Sequence, residues 1–405
     1  MRILHWYPNY FAGGAVASAV CGLATAQSLL GSDIAIAAVT VTDAPLYESM
    51  ENRTHVTIIR WMPTWTLQFK QFRLRGIPKE AVNRLQNFNP DLIHVHGEFN
   101  PDNLWVPRLF RRPMVLSPQG VFFPEAMENY SRRIKALYVR FARQVFYRKV
   151  AAFHACSPVE GSYIAKYFPE QLVYPAPMAL RNYIEFPKVC EPVPVQAKRT
   201  IDFIYVGRLA IHHKGLDILL EAFAQAIKLS TRGNLRLTLV GPDFRGGERW
   251  LRNRAEELGI ANYVSFAGSL SGDEVIAALE AADIYIQMSR YEGFGLSMLE
   301  ALLAGKPAIL SQSSGVSSYS EVSSLPHVGV VPTSMDEASR TMVQFADNIG
   351  EIKKHAEQYR ELMRDFFSWK RIARVHLDMY QTLGTANEQN EIPCRSAYKR
   401  HVDDC

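Results

Sequence analysis

The sequence predicts an α/β protein built from two doubly wound, parallel-sheet domains. At roughly 150 residues per domain, the 405 residues suffice for two large domains. Short apolar runs of strand length alternate with stretches of helical periodicity, which is the pattern of parallel sheets with helical crossovers. Prolines concentrated in residues 175–194 interrupt this alternation, so we place the domain boundary there.

The first domain begins with an uncharged stretch, residues 3–32, that resembles a signal peptide or a membrane span in composition. His5, Pro8 and the pair Gly13-Gly14 break the apolar run, so we expect a buried strand, a loop and a buried helix instead. The strands predicted in this domain are residues 2–7, 33–40, 56–62, 91–96, 113–117, 152–157 and 171–174.

The alternation restarts after the Pro-rich stretch. Strands are predicted at residues 201–206, 235–240, 263–267, 284–289, 307–310 and 328–331, with helices between them. Ser271 with Glu274, and Ser334 with Glu337, have the spacing of capping boxes at helix starts. We therefore expect a first domain at 1–180, a linker at 181–200 and a second domain at 201–367. The helical pattern at 368–383 is expected to cross back onto the first domain, and residues 384–405 are expected to be disordered.

Composition indicates an ordinary folded protein, with 48% hydrophobic and 21% charged residues and a mean hydropathy of −0.10. The net charge of +5 is unevenly distributed: residues 1–190 carry 21 Lys+Arg against 13 Asp+Glu, whereas residues 191–405 carry 24 against 27. Any basic partner surface therefore belongs to the first half. The five cysteines are scattered and lack metal-ligand spacing, which favours a reducing cytoplasm and no structural metal.

The most informative motif is Tyr291-Glu292-Gly293-Phe294-Gly295-Leu296, which leads into a helix carrying Glu300. A strand, a Gly-rich turn and a helix N-terminus present free backbone N–H groups to an anion. Two carboxylates near the same turn suit sugar hydroxyls, which donate hydrogen bonds. The alternative is a Gly-rich loop with two solvated glutamates.

A second turn adds two cations. Gly207-Arg208 follows the first strand of the second domain, and Lys214-Gly215 opens the next helix. Arg and Lys there would neutralise a diphosphate, although a pair of loop cations is more often simply surface. Two anion-binding turns at the carboxyl ends of strands, where open α/β sheets bind ligands, favour a common site.

Several enzyme classes are disfavoured. No Gly-x-Gly-x-x-Gly follows a strand and no Gly-x-x-x-x-Gly-Lys-Ser/Thr occurs, which argues against a nicotinamide dehydrogenase and a P-loop nucleotidase. The paired glutamates suggest a glycosidase, but that interpretation leaves Arg208, Lys214 and the glycines unexplained. The sequence contains no Asp-x-Asp, so we expect no metal ion and no other cofactor.

With these motifs, the chain resembles the retaining glycosyltransferases of family four, or group 1 glycosyl transferases, which have the GT-B fold of two Rossmann-like domains facing each other across a cleft. The resemblance spans residues 1–383 and is strongest over 201–312. It is carried there by Gly207-Arg208, Lys214-Gly215-Leu216, Phe266-Ala267-Gly268, Glu292 to Glu300, and Gly305-Lys306-Pro307.

The resemblance implies a role for each matching residue. Arg208 and Lys214 would bind the donor diphosphate and stabilise it as leaving group, Glu300 would hold the ribose, and Glu292 would hold the transferred sugar. His96 would face the reaction centre, whereas His94 is expected to be structural. The remaining residues implied in donor binding are Gly13, Gly14, Gly207, Gly293, Phe294, Gly295 and Leu296. The implied activity is transfer of a hexose from a nucleotide-diphosphate sugar to a saccharide or lipid-linked saccharide in cell-surface polysaccharide synthesis.

The chain also departs from the family pattern. Ser117-Pro118-Gln119-Gly120 has Gln where many relatives have Arg, residues 174–182 lack the usual Pro-Asn-Gly turn, and residues 311–324 are rich in serine. These departures leave donor and acceptor identity open. The alternative functions are a sugar-nucleotide epimerase or phosphorylase on the same fold, or a non-catalytic subunit that binds a nucleotide sugar.

Two basic and aromatic stretches lie in the first domain. Residues 130–149 contain seven Lys/Arg and no acid, and residues 60–75 combine cations with Trp61 and Trp65. Such a helix can lie on an anionic membrane surface, so we expect peripheral contact with the inner face of the cytoplasmic membrane. The alternative is a solvated basic face. No recognised nucleic-acid-binding motif accompanies the charge.

Overall fold

The computed structural model describes residues 1–12, 14–40, 56–69, 72–128, 132–180, 200–230 and 234–388. The chain forms two compact units. The N-terminal unit comprises Met1–Arg181 together with Phe367–Cys405, and the C-terminal unit comprises Asn182–Phe366. The expected linker lies almost entirely outside the described residues.

The N-terminal unit contains a seven-stranded parallel sheet in the order β3-β2-β1-β6-β7-β8-β9. Apolar clusters cover both faces, which is why its central strands are continuous hydrophobic runs. The strands of this unit, including a separate hairpin β4-β5, are β1 Arg2–Trp6, β2 Asp33–Val39, β3 Val56–Trp61, β4 Thr66–Phe69, β5 Phe72–Arg75, β6 Leu92–His96, β7 Met114–Ser117, β8 Val150–Ala155 and β9 Leu172–Pro175.

Helices connect these strands as parallel crossovers. They are α1 Gly14–Leu29, α2 Lys79–Phe88, α3 Val106–Leu109, α4 Pro124–Glu128, α5 Arg132–Val145 and α6 Pro158–Tyr167. The seven predicted sheet strands are all present. The antiparallel hairpin was not predicted, because its four-residue strands are too short to show a clear alternation and β4 is exposed throughout.

The C-terminal unit has six parallel strands in the order β12-β11-β10-β13-β14-β15, which is a doubly wound sheet whose order reverses between β10 and β13. Its elements are β10 Ile201–Val206, α7 Ile211–Lys214, α8 Leu216–Leu229, β11 Leu235–Val240, α9 Gly247–Glu257, β12 Val264–Gly268, α10 Gly272–Ala281, β13 Ile284–Gln287, α11 Leu296–Leu303, β14 Ala308–Ser311, α12 Ser320–Ser323, β15 Val328–Val331, α13 Met335–Asp347 and α14 Ile349–Phe366. The two parallel-sheet units confirm the predicted fold class.

The two predicted capping boxes differ. Ser271 and Glu274 form the reciprocal pair at the start of α10. Ser334 is the N-cap of α13, but its side chain makes no capping hydrogen bond. The predicted helix start at Ser334 is therefore confirmed, whereas the predicted capping hydrogen bond of the Ser334 side chain is absent there.

The last described helix, α15 Trp369–Glu388, belongs to the N-terminal unit and packs against α1. Trp369 Nε1 donates to the Leu180 carbonyl at 2.9 Å, and a Cβ at Gly22 of α1 would lie 2.3 Å from the Trp369 ring. Glycine at position 22 thus permits the close approach. The helix continues past residue 383 to Glu388, so residues 384–388 are helical and not disordered as expected; residues 369–388 contain no proline that would end it. Residues 389–405 lie outside the described residues.

No helix in the described ranges is both long and apolar enough to cross a membrane.

Candidate functional site

The loops after β10 and β11 approach each other through glycines. A Cβ at Gly241 would lie 2.0 Å from the Gly207 carbonyl oxygen, and one at Gly247 would lie 2.0 Å from that of Leu209. Leu209 N–H also donates to the Pro242 carbonyl at 3.0 Å. In the sequence analysis, the family resemblance implied a role for Gly207 in donor binding. The structure shows that these glycines first allow two backbones to pack tightly.

Arg208 leaves this junction with its side chain exposed. Its guanidinium lies 5.1 Å from the centroid of the Phe244 ring, in a cation–π contact. Its carbonyl is held by the Tyr205 hydroxyl, which donates to it at 2.9 Å. A fixed backbone and an exposed guanidinium leave the planar fork available to an anion.

The segment with Lys214 is fastened to the loop after β13. Gly215 has a φ of +61°, and a Cβ there would lie 1.9 Å from the Met288 carbonyl oxygen. Arg290 joins the two segments by paired bonds of 2.8 and 2.7 Å to the Asp217 carboxylate. Position 215 therefore requires glycine for both its conformation and its contact.

Lys214 and Glu292 form an ion pair at the centre of this arrangement. Their side chains are 12% and 18% exposed, so the pair is shielded but reachable. Gln287 Nε2 lies 3.5 Å from the same Glu292 oxygen, and Gln287 is itself held by the Tyr285 hydroxyl and by Ser289. The residue implied for the diphosphate and the residue implied for the sugar thus hold each other in position.

The field around His213 shows that the charges converge. Burial lowers the pKa of His213 to about 4; Glu292 opposes this effect, and the positive charges of Lys214 and Arg208 reinforce it. The His213 ring stacks on Tyr291, with 4.3 Å between centroids. Both cations therefore lie within electrostatic reach of one imidazole, at the carboxyl ends of β10 and β13.

The turn into α11 leaves the first backbone N–H groups of the helix uncapped. Gly295 is the N-cap with a φ of +102°, and no side chain within the described ranges caps the first turn. Gly293 and Phe294 precede it, and Leu296 is the first helical residue. The uncapped N–H groups carry the positive end of the helix dipole.

Glu300 lies in the second turn of α11. Burial raises the pKa of its carboxyl to about 7. Among the described residues, no hydrogen bond or ion pair to this carboxylate is found. A half-buried, unpaired acceptor of this kind suits a vicinal diol, which would replace the lost water.

The serine-rich stretch after β14 braces the same turn. Gly315 N–H donates to the Glu292 carbonyl at 3.0 Å, and a Cβ at Gly315 would lie 2.2 Å from the Gly293 carbonyl oxygen. The Ser311 hydroxyl donates to the Ser289 carbonyl at 2.7 Å. Sequence analysis assigned no role to this stretch, and the alternation of small polar residues around a glycine was the only signal of a tightly packed loop.

In the N-terminal unit, Gly14 begins α1 with a φ of +86°, while Gly13 lies outside the described residues. His96 ends β6 and is 3% exposed. The nitrogens of His5, His94 and His96 lie within 4.8 Å of one another, close enough for metal ligands. Five of these six ring nitrogens already have hydrogen-bond partners, including Gln27, Ser117 and Tyr380, so the group is described here as a hydrogen-bonded cluster.

Comparisons with known proteins match both units. A family model described as "Glycosyl transferases group 1" matches residues 192–361, and one described as "Glycosyl transferase 4-like domain" matches residues 14–176. The chain belongs to the group 1 glycosyl transferases. A GDP-mannose:cellobiosyl-diphosphopolyprenol alpha-mannosyltransferase of Xanthomonas oryzae pv. oryzae is 26% identical over 314 residues, covering 75% of this chain and 77% of that protein.

Solved structures show that the glycosyltransferase has the GT-B architecture. A sucrose-phosphate synthase from Thermosynechococcus elongatus superposes with a TM-score of 0.72 at 18% identity, covering 95% of this chain and 99% of the other. Anabaena HepE, solved with UDP and glucose, superposes with a TM-score of 0.66 at 17% identity, covering 94% and 100%. These comparisons confirm the family and the fold that the sequence motifs predicted.

Sequence analysis missed several residues of this glycosyltransferase that hold the site. Asp217 and Arg290 carry no recognisable motif, because they pair with each other across 73 positions of the chain. Gln287 contacts Glu292 only five residues further on, but a lone glutamine at the end of a strand is no recognisable signal. His213 was visible only as a neighbour of Lys214. Their placement depends on the pairing of β10 with β13, which is not a local property of the sequence.

Proposed function

We propose that this glycosyltransferase moves a hexose from a nucleoside diphosphate sugar to a lipid-linked saccharide, with retention of anomeric configuration and without a metal ion. The observation that carries the proposal is the ion pair of Lys214 with Glu292 at the turn into α11, together with the exposed guanidinium of Arg208 after β10. A diphosphate is the leaving group that this arrangement of cations and N–H groups fits.

In the proposed reaction, the bond between the anomeric carbon and the diphosphate oxygen breaks while the acceptor hydroxyl oxygen bonds to that carbon, and the hydroxyl proton passes to an oxygen of the departing diphosphate. Negative charge grows on the departing diphosphate, where the guanidinium of Arg208, the ammonium of Lys214 and the α11 dipole stabilise it. Glu292 orients Lys214 and accepts from sugar hydroxyls, and Glu300 accepts from the ribose. Retention and the placement of His96 at the reacting sugar rest on the family resemblance.

The acceptor class is supported by the surface of the N-terminal unit. Leu67 and Phe69 of the hairpin are 65% and 63% exposed, and Leu137 and Phe141 of α5 are 67% and 53% exposed. Phe72 of the hairpin stacks on Tyr138 of α5 at 5.7 Å, which makes the two elements neighbours. Exposed cations surround these apolar side chains, among them Arg73, Arg132, Arg133 and Arg140.

Apolar side chains within a basic surface suit an anionic bilayer, where polyprenyl-linked saccharides reside. The Xanthomonas relative acts, by its name, on a diphosphopolyprenol-linked saccharide. We therefore propose cytoplasmic, peripheral attachment to the membrane, in a pathway that assembles a surface polysaccharide.

A donor panel tests the transfer. The full chain is incubated with GDP-mannose, UDP-glucose or ADP-glucose, first alone with the melting temperature as readout and then with a diphosphopolyprenyl saccharide. We expect one donor to raise the melting temperature, transfer that survives EDTA, and a product whose anomeric proton coupling matches the donor. Binding without transfer to any tested acceptor would favour a non-catalytic subunit, and isomerised nucleotide sugar would favour an epimerase.

Vesicle sedimentation at low salt tests the membrane proposal. We expect the chain to bind vesicles containing phosphatidylglycerol and not pure phosphatidylcholine, and the variant Leu137→Ser/Phe141→Ser to lose this binding. Leu229→Ser, at a position of the C-terminal unit that is 49% exposed, is the matched control and should bind normally. Equal binding by all three proteins would contradict the assignment of this surface.

A further inference from the structure

Five histidines lie together in the N-terminal unit: His5, His94, His96, His154 and His376, here called the histidine cluster. All are at least 95% buried. Burial lowers the pKa of His5 and His154 to about 4 and that of the other three well below the usual value. Each ring is therefore neutral at pH 7, with one nitrogen that donates and one that accepts. The hydrogen-bond partners decide which is which.

One chain of hydrogen bonds is settled by a carbonyl at its end. His154 Nε2 must donate to the Ala176 carbonyl at 3.0 Å, so its Nδ1 accepts from the Ser117 hydroxyl at 2.6 Å. Ser117 Oγ then accepts from His94 Nε2 at 2.6 Å, which leaves His94 Nδ1 as an acceptor. The Tyr380 hydroxyl donates to this nitrogen at 2.5 Å. Every proton in this chain has one consistent position.

A second chain reaches His96. His5 Nε2 donates to Gln27 Oε1 at 2.8 Å, so His5 Nδ1 is an acceptor. Its partner at 2.9 Å is His96 Nε2, which must therefore carry the proton. The remaining nitrogen, His96 Nδ1, is left with a lone pair.

The Gln27 amide directs its oxygen at His5, with 2.8 Å between Gln27 Oε1 and His5 Nε2. The amide nitrogen, Gln27 Nε2, completes no hydrogen bond within the described ranges. This is the orientation that the second chain requires.

We propose that Gln27 and His5 are positioning residues that hold His96 in the tautomer with a bare Nδ1, so that this side chain accepts a hydrogen bond from a hydroxyl group of the bound sugar. The inference rests on the proposed function, which places His96 at the reacting sugar. It assigns His96 the chemistry of a neutral acceptor, in contrast to the charged groups around Lys214.

The groups that influence His96 come from several elements. His5 lies on β1, His154 on β8 and His376 on α15, and all three act on its titration. The His94 ring lies 4.0 Å from that of His96, and Tyr7 meets it edge-on at 6.5 Å. Because these groups are neutral at pH 7, the hydrogen bond from His96 to His5 determines the tautomer.

Long-range proton–nitrogen NMR of the full chain labelled with ¹⁵N-histidine reads the tautomers directly, without any substrate. We expect His96 to carry its proton on Nε2. In Gln27→Glu, the new carboxylate favours the imidazolium form of His5, whose Nδ1–H would then donate to His96 Nε2. The His96 proton should move to Nδ1, and kcat/KM should fall about tenfold, which corresponds to one hydrogen bond.

Further variants separate this role from a structural one. Gln27→Met removes the acceptor without adding charge and should give a mixture of both His96 tautomers, so it serves where Gln27→Glu does not fold. His5→Asn keeps an acceptor near the position of Nδ1 and should retain more activity than His5→Phe. Tyr174→Phe, which removes a buried hydroxyl outside both chains, is the control and should leave the His96 tautomer and the pH profile unchanged.

Two results would overturn the proposal. A wild-type His96 with its proton on Nδ1, or an unchanged His96 in both Gln27 variants, would contradict the positioning role, whatever reaction the enzyme performs. A tautomer that shifts as expected while transfer continues at the wild-type rate would show that His96 does not accept from the sugar. A failure of the donor panel is distinguishable from both, since the NMR readout needs no donor.

Discussion

The polar groups at the carboxyl ends of the two sheets differ in kind. In the C-terminal unit they are charged and reachable, as with exposed Arg208 and the partly exposed Lys214–Glu292 pair. In the N-terminal unit they are neutral and buried, as with His5 and His96, which are 0% and 3% exposed. Under the proposed function, the charged groups would stabilise a departing diphosphate and the neutral groups would bind a sugar hydroxyl. The same parallel-strand geometry thus positions two different kinds of polar group.

Removing a charge from the C-terminal unit should have the largest effect. We expect Arg208→Ala or Lys214→Ala to lower kcat by roughly 10² or more, because each removes a preorganised group that stabilises the leaving diphosphate. Steady-state kinetics with the donor selected by the panel measures this loss.

The Lys214 variant also leaves Glu292 without its ion-pair partner. The loss of kcat in the double variant Lys214→Ala/Glu292→Gln should therefore be smaller than the product of the losses in Lys214→Ala and Glu292→Gln. Arg236→Ala removes an exposed cation on β11 of the same unit and is the matched control. Near-wild-type rates in both Arg208→Ala and Lys214→Ala would contradict the proposal that these two cations stabilise the leaving diphosphate.

The second test concerns Glu300, because burial raises the pKa of its carboxyl to about 7. Because the folded-state pKa lies above the unfolded value, the folded protein favours the protonated form, and the stability this contributes is lost as the pH rises through about 7. The carboxylate form has more acceptor capacity for a ribose diol.

Donor affinity should therefore increase as the pH rises from 6 to 8, by about tenfold over that range. Isothermal titration calorimetry with the donor measures it. Glu300→Gln should abolish the pH dependence, whereas Glu280→Gln, at an exposed position of the same unit, should retain it. An affinity that falls between pH 6 and 8 would contradict the assigned role.

In both units, local features could be predicted from the sequence, whereas contacts between distant residues could not. The strands of both sheets were predictable, because buried parallel strands are continuous apolar runs. Arg208, Lys214 and the turn at Gly295 were also visible, because their motifs are local. The Lys214–Glu292 contact and the Gln27–His5–His96 chain were not predictable. The first joins residues 78 positions apart and the second joins residues 22 and 91 positions apart, through pairings that only the fold creates.

Acidification should destabilise the N-terminal unit more than the C-terminal unit. Among the described residues, burial lowers the pKa of five histidines in the first and of two, His213 and His327, in the second. His5 and His154 have folded-state pKa values of about 4, below the unfolded value, so the stability they contribute is present above pH 6.5 and is lost as the pH falls toward 4. At pH 5 the free energy of unfolding falls by on the order of 2 kcal/mol for each histidine, which lowers the melting temperature by several degrees.

Hydrogen exchange should show the loss first in β6, β7 and β8, where hydrogen bonds connect His94, Ser117 and His154. His154→Gln should weaken this acid dependence, whereas His212→Gln, which alters an exposed ring in the C-terminal unit, should leave it unchanged. Equal acid sensitivity in all three proteins would mean that protonation of the histidine cluster does not govern the stability of the N-terminal unit.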